Sequence, residues 1–191
     1  MNDKFKLGVG QAHEIEMGMN RVGGWDESLV KILCTGDHLG LIRDVLLHRA
    51  EIKQEGYFVD LDADPMIPDS WKVEEHIKGG QFKFDPTKVE LYLDEGQKNG
   101  ESIEGNNLHK KLKRKNLFNA NLLDFYLAHK KLIPESWKKG KVIFFWGTIY
   151  RNTGGYLYVR CLGWSGSQWR WDYHWLNTIW SSNYPAAVPS K

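Results

Sequence analysis

Between Gln168 and Trp175 the chain reads Gln-Trp-Arg-Trp-Asp-Tyr-His-Trp, with an aromatic ring at every second position and a polar side chain between each pair. A period of two sends successive side chains to opposite faces of an extended strand and cannot be laid on a helix. A half-buried strand is therefore expected here, with Trp169, Trp171, Tyr173 and Trp175 on one face and Arg170, Asp172 and His174 on the other. Five of the nine tryptophans lie between Trp164 and Trp180. Each such ring can bury roughly 150–250 Å². The aromatic core expected from this clustering is Trp169, Trp171, Tyr173 and Trp175.

The neighbouring segments make this the last strand of an antiparallel set. Val142–Arg151 and Tyr156–Gly163 are strand-like, and Asn152-Thr153-Gly154-Gly155 between them is a hairpin signal. Residues 164–167 turn the chain again, and Leu176–Lys191, with its Asn, Ser and Pro, reads as an extended loop. Upstream, residues 1–24 are Gly-rich and read as irregular. Asp26 is placed to cap a helix that Gly36 stops, and a second helix starts near His38. Residues 57–61 suit a strand, 60–69 a loop, and 71–84 a hairpin around Lys78-Gly79-Gly80. Asp85-Pro86 reads as the start of a helix with Val89, Tyr92 and Leu93 on its apolar face, and 96–105 as a polar loop. Helices follow over about 106–115 and 119–129. The expected class is α+β, divided into an N-terminal segment 1–24, a helical and hairpin subdomain 25–80, and a domain 81–191. Ile67-Pro-Asp-Ser-Trp-Lys72 recurs as Ile133-Pro-Glu-Ser-Trp-Lys138, which reads as a repeated loop device whose Trp plugs the core.

Charge narrows the partners. The net charge of +2 conceals a balance of −9 over residues 1–108, +8 over 109–141 and +3 over 142–191. The stretch His109–Lys115 makes Lys110, Lys111, Lys113, Arg114 and Lys115 a candidate phosphate-binding set for nucleic acid. No aromatic interleaves with these lysines, so a basic helix face docked on the acidic half is the competing reading. The longest apolar run, Val142–Trp146, is far short of the roughly 20 residues a membrane span needs, so no membrane insertion is expected. With no secretory leader read at the N-terminus, the expected location is cytoplasmic as encoded, export by another route staying open. Cys34 and Cys161 match no metal spacing and are expected as free, buried thiols.

Chemistry finds little support. Asp60-Leu-Asp62-Ala-Asp64 begins like a calcium loop, but Pro65 and Trp71 occupy the positions that require Gly and Glu. Glu74-Glu75-His76 suits either a metal site or a solvated strand face. No fingerprint for zinc hydrolysis, a nucleophile elbow, a phosphate loop or a dinucleotide is present. No catalytic residue, metal or cofactor is assigned, and a non-enzymatic protein is expected. Neither Lys nor Glu occurs from Val142 to Ser190, which holds short polar residues, aromatics and Arg instead. Such side chains suit adaptable binding surfaces.

The stretch from Gly147 to Val188 resembles the C-terminal end of variable proteins diversified by diversity-generating retroelements, of the kind found in small-genome uncultured bacteria and their phages. In that family a reverse transcriptase rewrites adenine positions at the 3′ end of the gene, so AAC codons become NNC codons. The resemblance implies a C-type lectin-like domain with two or three helices and a C-terminal antiparallel sheet over 81–191. It implies a fixed frame of Trp164, Gly166, Trp169, Trp171, Tyr173, Trp175, Leu176, Trp180 and 185–188. It implies a variable, ligand-binding set of Arg170, Asp172, His174, Asn177, Thr178, Ser181, Ser182, Asn183 and Tyr184. An NNC codon can encode all nine. The implied partner is an unknown protein or other macromolecule. Neither calcium nor sugar binding is implied, although the tryptophans also suit a carbohydrate-binding module.

Overall fold

The computed structural model describes residues 6–22, 24–53 and 56–190. The chain divides into two compact units, Met1–Gln54 and Glu55–Lys191. The first holds three helices, α1 (Val9–Val22), α2 (Glu27–Leu33) and α3 (His38–Leu46). Helix α1 corrects the irregular reading of 1–24, of which 1–5 and 23 lie outside the described residues. Its Gly10 and Gly18 stand far enough apart for the good helix formers between them, among them Ala12, Glu14, Glu16 and Met17, to prevail. Asp26 caps α2 as expected, accepting the Leu29 N–H at 2.9 Å. Cys34 beyond it is exposed, not buried, and Gly36 then takes a φ of +60°. None of the three helices contains a buried residue.

The second unit is α+β. In chain order it comprises β1 (Phe58–Asp60), β2 (Lys72–His76), β3 (Gln81–Lys83), β4 (Val89–Tyr92), β5 (Ile103–Glu104), α4 (Gly105–Leu112), α5 (Ala120–Ala128), β6 (Val142–Arg151), β7 (Leu157–Ser165), β8 (Gln168–Trp175), β9 (Ile179–Trp180) and β10 (Ala186–Pro189). The main sheet runs β4-β10-β6-β7-β8, with β2 added to β6. Strand β6 shares one edge between two partners: β10 lies parallel to it at Phe144, and β2 lies antiparallel over Thr148–Arg151.

Four expectations are corrected here. Residues 71–84 are no hairpin: β2 joins β6 and β3 joins β1. The place of a hairpin partner is taken by the chain after β1, where the Leu61 N–H donates to the Gly80 carbonyl at 3.0 Å and Asp62 accepts the Gly80 N–H at 2.8 Å. Asp85 and Pro86 open only one 3-10 turn, Pro86–Lys88. Val89–Tyr92 continues as a strand because β10 pairs with all four of its residues, burying Val89 and leaving Glu90 exposed. The segment from Leu176 is no loop throughout: β9 pairs with β5, and β10 fills the gap between β4 and β6. The chain divides at 54/55 rather than at 24/25 and 80/81, since Val59 and Leu61 pack in one core with residues of α5, β6 and β7.

That core lies on one face of the sheet, where Leu122, Leu123 and Tyr126 of α5 meet Ile143, Phe145, Leu162, Trp169 and Trp137. A second core on the other face joins Leu108 and Leu112 of α4 to Phe144, Trp146, Val159, Cys161, Leu176 and Trp180. Of the two Ile-Pro-Asp/Glu-Ser-Trp-Lys loops, only the second plugs a core, through Trp137. Trp71 lies half-buried against Tyr158 and Tyr173, its ring centroid 4.7 Å from each.

Candidate functional site

Strand β8 is held to β7 in continuous register, from Tyr158 opposite Trp175 to Ser165 opposite Gln168. The alternation read from the sequence therefore holds: Trp169, Trp171, Tyr173 and Trp175 share the α5 face with Trp164, Leu162, Arg160 and Tyr158, while Arg170, Asp172 and His174 take the opposite face. Burial is less uniform than expected. Trp169 and Trp180 are buried, and Trp164 and Trp175 are half-buried. Trp171 and Tyr173 are 38% and 43% exposed, which corrects their assignment to a buried frame. Helix α5 covers this face near Trp169. Further along, the cover is polar: Arg160 is fully buried, pairs through both terminal nitrogens with Asp124 at 3.0 and 2.7 Å, and lays its guanidinium 4.7 Å from the Trp171 ring.

The opposite face carries a groove of about 590 Å³. Phe144, Cys161 and Gly163 line its floor, Arg170, Asp172 and His174 rise along β8, and Tyr184 comes from the strand-connecting segment after β9. Four members of the expected variable set thus meet at one depression. Asn177, Ser182 and Asn183 are exposed beyond it, and Thr178 and Ser181 are half-exposed.

The support beneath is aromatic. Trp180 is fully buried, with ring centroids 4.4 Å from Phe144, 4.6 Å from Trp146, 4.9 Å from His174 and 5.9 Å from Tyr184. It lies so close to α4 that a Cβ on Gly105 would stand 2.3 Å from its Nε1 and 2.4 Å from the Leu176 carbonyl. Backbone polar groups of the segment are met from below by Gln97, itself buried, whose amide donates to the carbonyls of Ser181 and Tyr184 at 3.0 and 3.1 Å. Gln97 is positioned in turn by a capping box with Asp94. Asn106 reaches Asn177 Oδ1 at 2.7 Å. Gly105 and Gln97 escaped the sequence reading because their partners stand more than 70 residues away.

His174 is tied to the same support. The Thr178 hydroxyl donates to the Trp175 carbonyl at 2.9 Å, so the 2.9 Å approach of His174 Nε2 to that hydroxyl requires the ring to carry its hydrogen on Nε2. Burial pushes the His174 pKa below its ordinary value, against the opposing pull of Asp172. Burial likewise raises the Cys161 thiol, which stays protonated on the groove floor.

The basic helix is largely committed elsewhere. Lys111 pairs with Asp94 at 2.7 Å, Lys113 with Glu75 at 2.8 Å, and Lys115 lies 4.2 Å from the centre of the Tyr92 ring. Burial alone would raise the Glu75 and Asp94 carboxyls, but their lysine partners hold both below the ordinary range. Lys110, Arg114 and Lys115 are the members of the phosphate set with no carboxylate partner among the described residues. Glu74 is bound by Arg151 at 2.7 Å and His76 meets Thr148 at 2.9 Å, so Glu74, Glu75 and His76 do not converge. Asp60 and Asp62 accept backbone N–H groups of Asp62 and Gly80. No group of three metal-ligating side chains and no helix long and apolar enough to cross a membrane occurs among the described residues. No protein-family model, curated protein or solved structure matches the chain.

Proposed function

We propose that the Glu55–Lys191 unit is a C-type lectin-like recognition domain of the retroelement-diversified kind, a non-enzymatic protein that binds a macromolecular partner through the groove face. One observation carries this reading: Arg170, Asp172, His174 and Tyr184 line one groove, and its floor and underside are buried aromatic and aliphatic side chains. A display surface needs such a division, because positions free to change must contribute little to folding while a rigid base fixes where they stand. The order two strands, two helices, three antiparallel strands from β4 onward is compatible with a lectin-like unit, as is the pairing of β4 with the late strand β10.

Nucleic acid is the weaker partner, since Lys111 and Lys113 already have carboxylate partners. Sequencing many copies of the gene tests the proposal. Substitutions are expected to cluster at Arg170, Asp172, His174, Asn177, Thr178 and Ser181 to Tyr184, with Trp169, Leu176 and Trp180 constant. Substitutions spread evenly along the chain would overturn it.

A further inference from the structure

The outer edge of β8 is unpaired: among the described residues its only strand partner is β7. Which backbone groups face outward follows from the register. The Leu176 N–H donates to the Leu157 carbonyl at 2.9 Å, which makes 157 and 176 a bonded pair, and bonded pairs alternate along an antiparallel ladder. The even residues of β8 therefore bond to β7, and Trp169, Trp171, Tyr173 and Trp175 turn their N–H and C=O groups to the free edge. An independent observation agrees: the Tyr173 N–H donates to the carboxylate of Asp172 at 2.8 Å and not to β7.

An eight-residue strand with such an edge is a template for another strand. Its charge pattern specifies which one. In a symmetric antiparallel pairing of β8 with itself, the outward-facing odd residues must oppose odd residues. Three central registers then compete. Arg170 opposite Arg170, or Asp172 opposite Asp172, places like charges together. The register between them opposes Trp171 to Trp171 and Trp169 to Tyr173, and sets Arg170 of each copy against Asp172 of the other. Those two cross-strand pairs fall at non-bonded positions, where side chains approach most closely.

We propose that β8 is a homodimerisation edge, paired antiparallel with β8 of a second copy of this chain about Trp171. In the dimer Asp172 exchanges the Tyr173 N–H for the partner's Arg170 guanidinium, and the freed N–H bonds to the partner's Trp169 carbonyl. The two-fold axis of such a pair is perpendicular to the sheet, so both grooves open on the same side and form one composite face. The proposal goes beyond the recognition reading and does not depend on it.

Sedimentation equilibrium of the full chain over a concentration series tests it. The expected species is a reversible dimer of twice the 22.2 kDa chain mass. Arg170→Asp and Asp172→Arg each put like charges opposite one another and should weaken the dimer about tenfold or more. The double swap restores opposite charges and should return affinity close to that of the parent. Trp171→Pro removes an outward N–H that no intramolecular ladder uses, so it should abolish the dimer while circular dichroism stays unchanged. A chain that stays monomeric throughout, or a dimer indifferent to these four variants, would overturn the proposal. Both results would leave the gene-sequencing test of the recognition reading untouched, because sedimentation reads mass and not ligand binding.

Discussion

Gly105 shows how far one missing methyl group can decide a site. A Cβ there would overlap both Trp180 Nε1 and the Leu176 carbonyl, and neither neighbour can yield easily: one belongs to a ring packed on four others, the second to backbone. Gly105→Ala is expected to cost about 1–3 kcal/mol, the usual range for overpacking, although alanine favours a helix. Urea denaturation checks this, and a variant as stable as the parent would mean that Trp180 is free to move. The capping roles of Asp26 and Asp85 were legible because a cap depends on residues two or three positions away. The role of Gly105 was not, because the ring that forbids a side chain arrives 75 residues later. Trp171 and Tyr173 fall between these cases: alternation names their face, but only tertiary packing shows that α5 covers Trp169 and leaves them exposed.

Among the elements, strands with their own strong period were readable and strands completed by distant partners were not. The β6–β7 turn and the whole of β8 follow from local spacing. Ala186–Pro189 has four residues, two of them alanine and one proline, and becomes a strand only because β4 and β6 stand on either side. Val89–Tyr92 is the converse, a segment with helical punctuation claimed by that same neighbour. The segment between β9 and β10 depends on Gln97 for its carbonyls, and an unsatisfied buried carbonyl costs about 1–3 kcal/mol. Gln97→Ala is therefore expected to destabilise the unit by about 2 kcal/mol, and to raise hydrogen exchange at residues 181–184 above that of β7. Unchanged protection there would show that the segment is held by its aromatic contacts alone.

Taken together, the buried imidazole of His109 and the half-buried one of His174 give the protein a direction of response to acid. Burial lowers the pKa of His174 and of His109, in the latter against the pull of Glu75. For a group depressed in the folded state, the unfolded chain binds more protons. The stabilising contribution is complete above the ordinary value of 6.5 and is lost as pH falls through the folded value. The lowered carboxyls of Glu75 and Asp94 act in the same sense further down, below their ordinary values of 4.5 and 3.8. The melting temperature should therefore decline in two stages on acidification, the first beginning just below neutrality. A His109→Gln/His174→Gln variant should lose the first stage and keep the second. If the double variant declines as the parent does between these values, the imidazoles are not its source.

The position of β10 has a consequence for synthesis. It is translated after β4 and β6, yet it lies between them, so the main sheet cannot close while the ribosome is still upstream of Ala186. A message with a premature stop or a shifted frame in codons 168–184 yields a sheet in which the strand between β4 and β6 is missing or altered. Folding thus acts as a reading-frame filter on the segment whose codons the proposed function would have mutated, passing amino-acid replacements on the groove face and rejecting the products of frame errors.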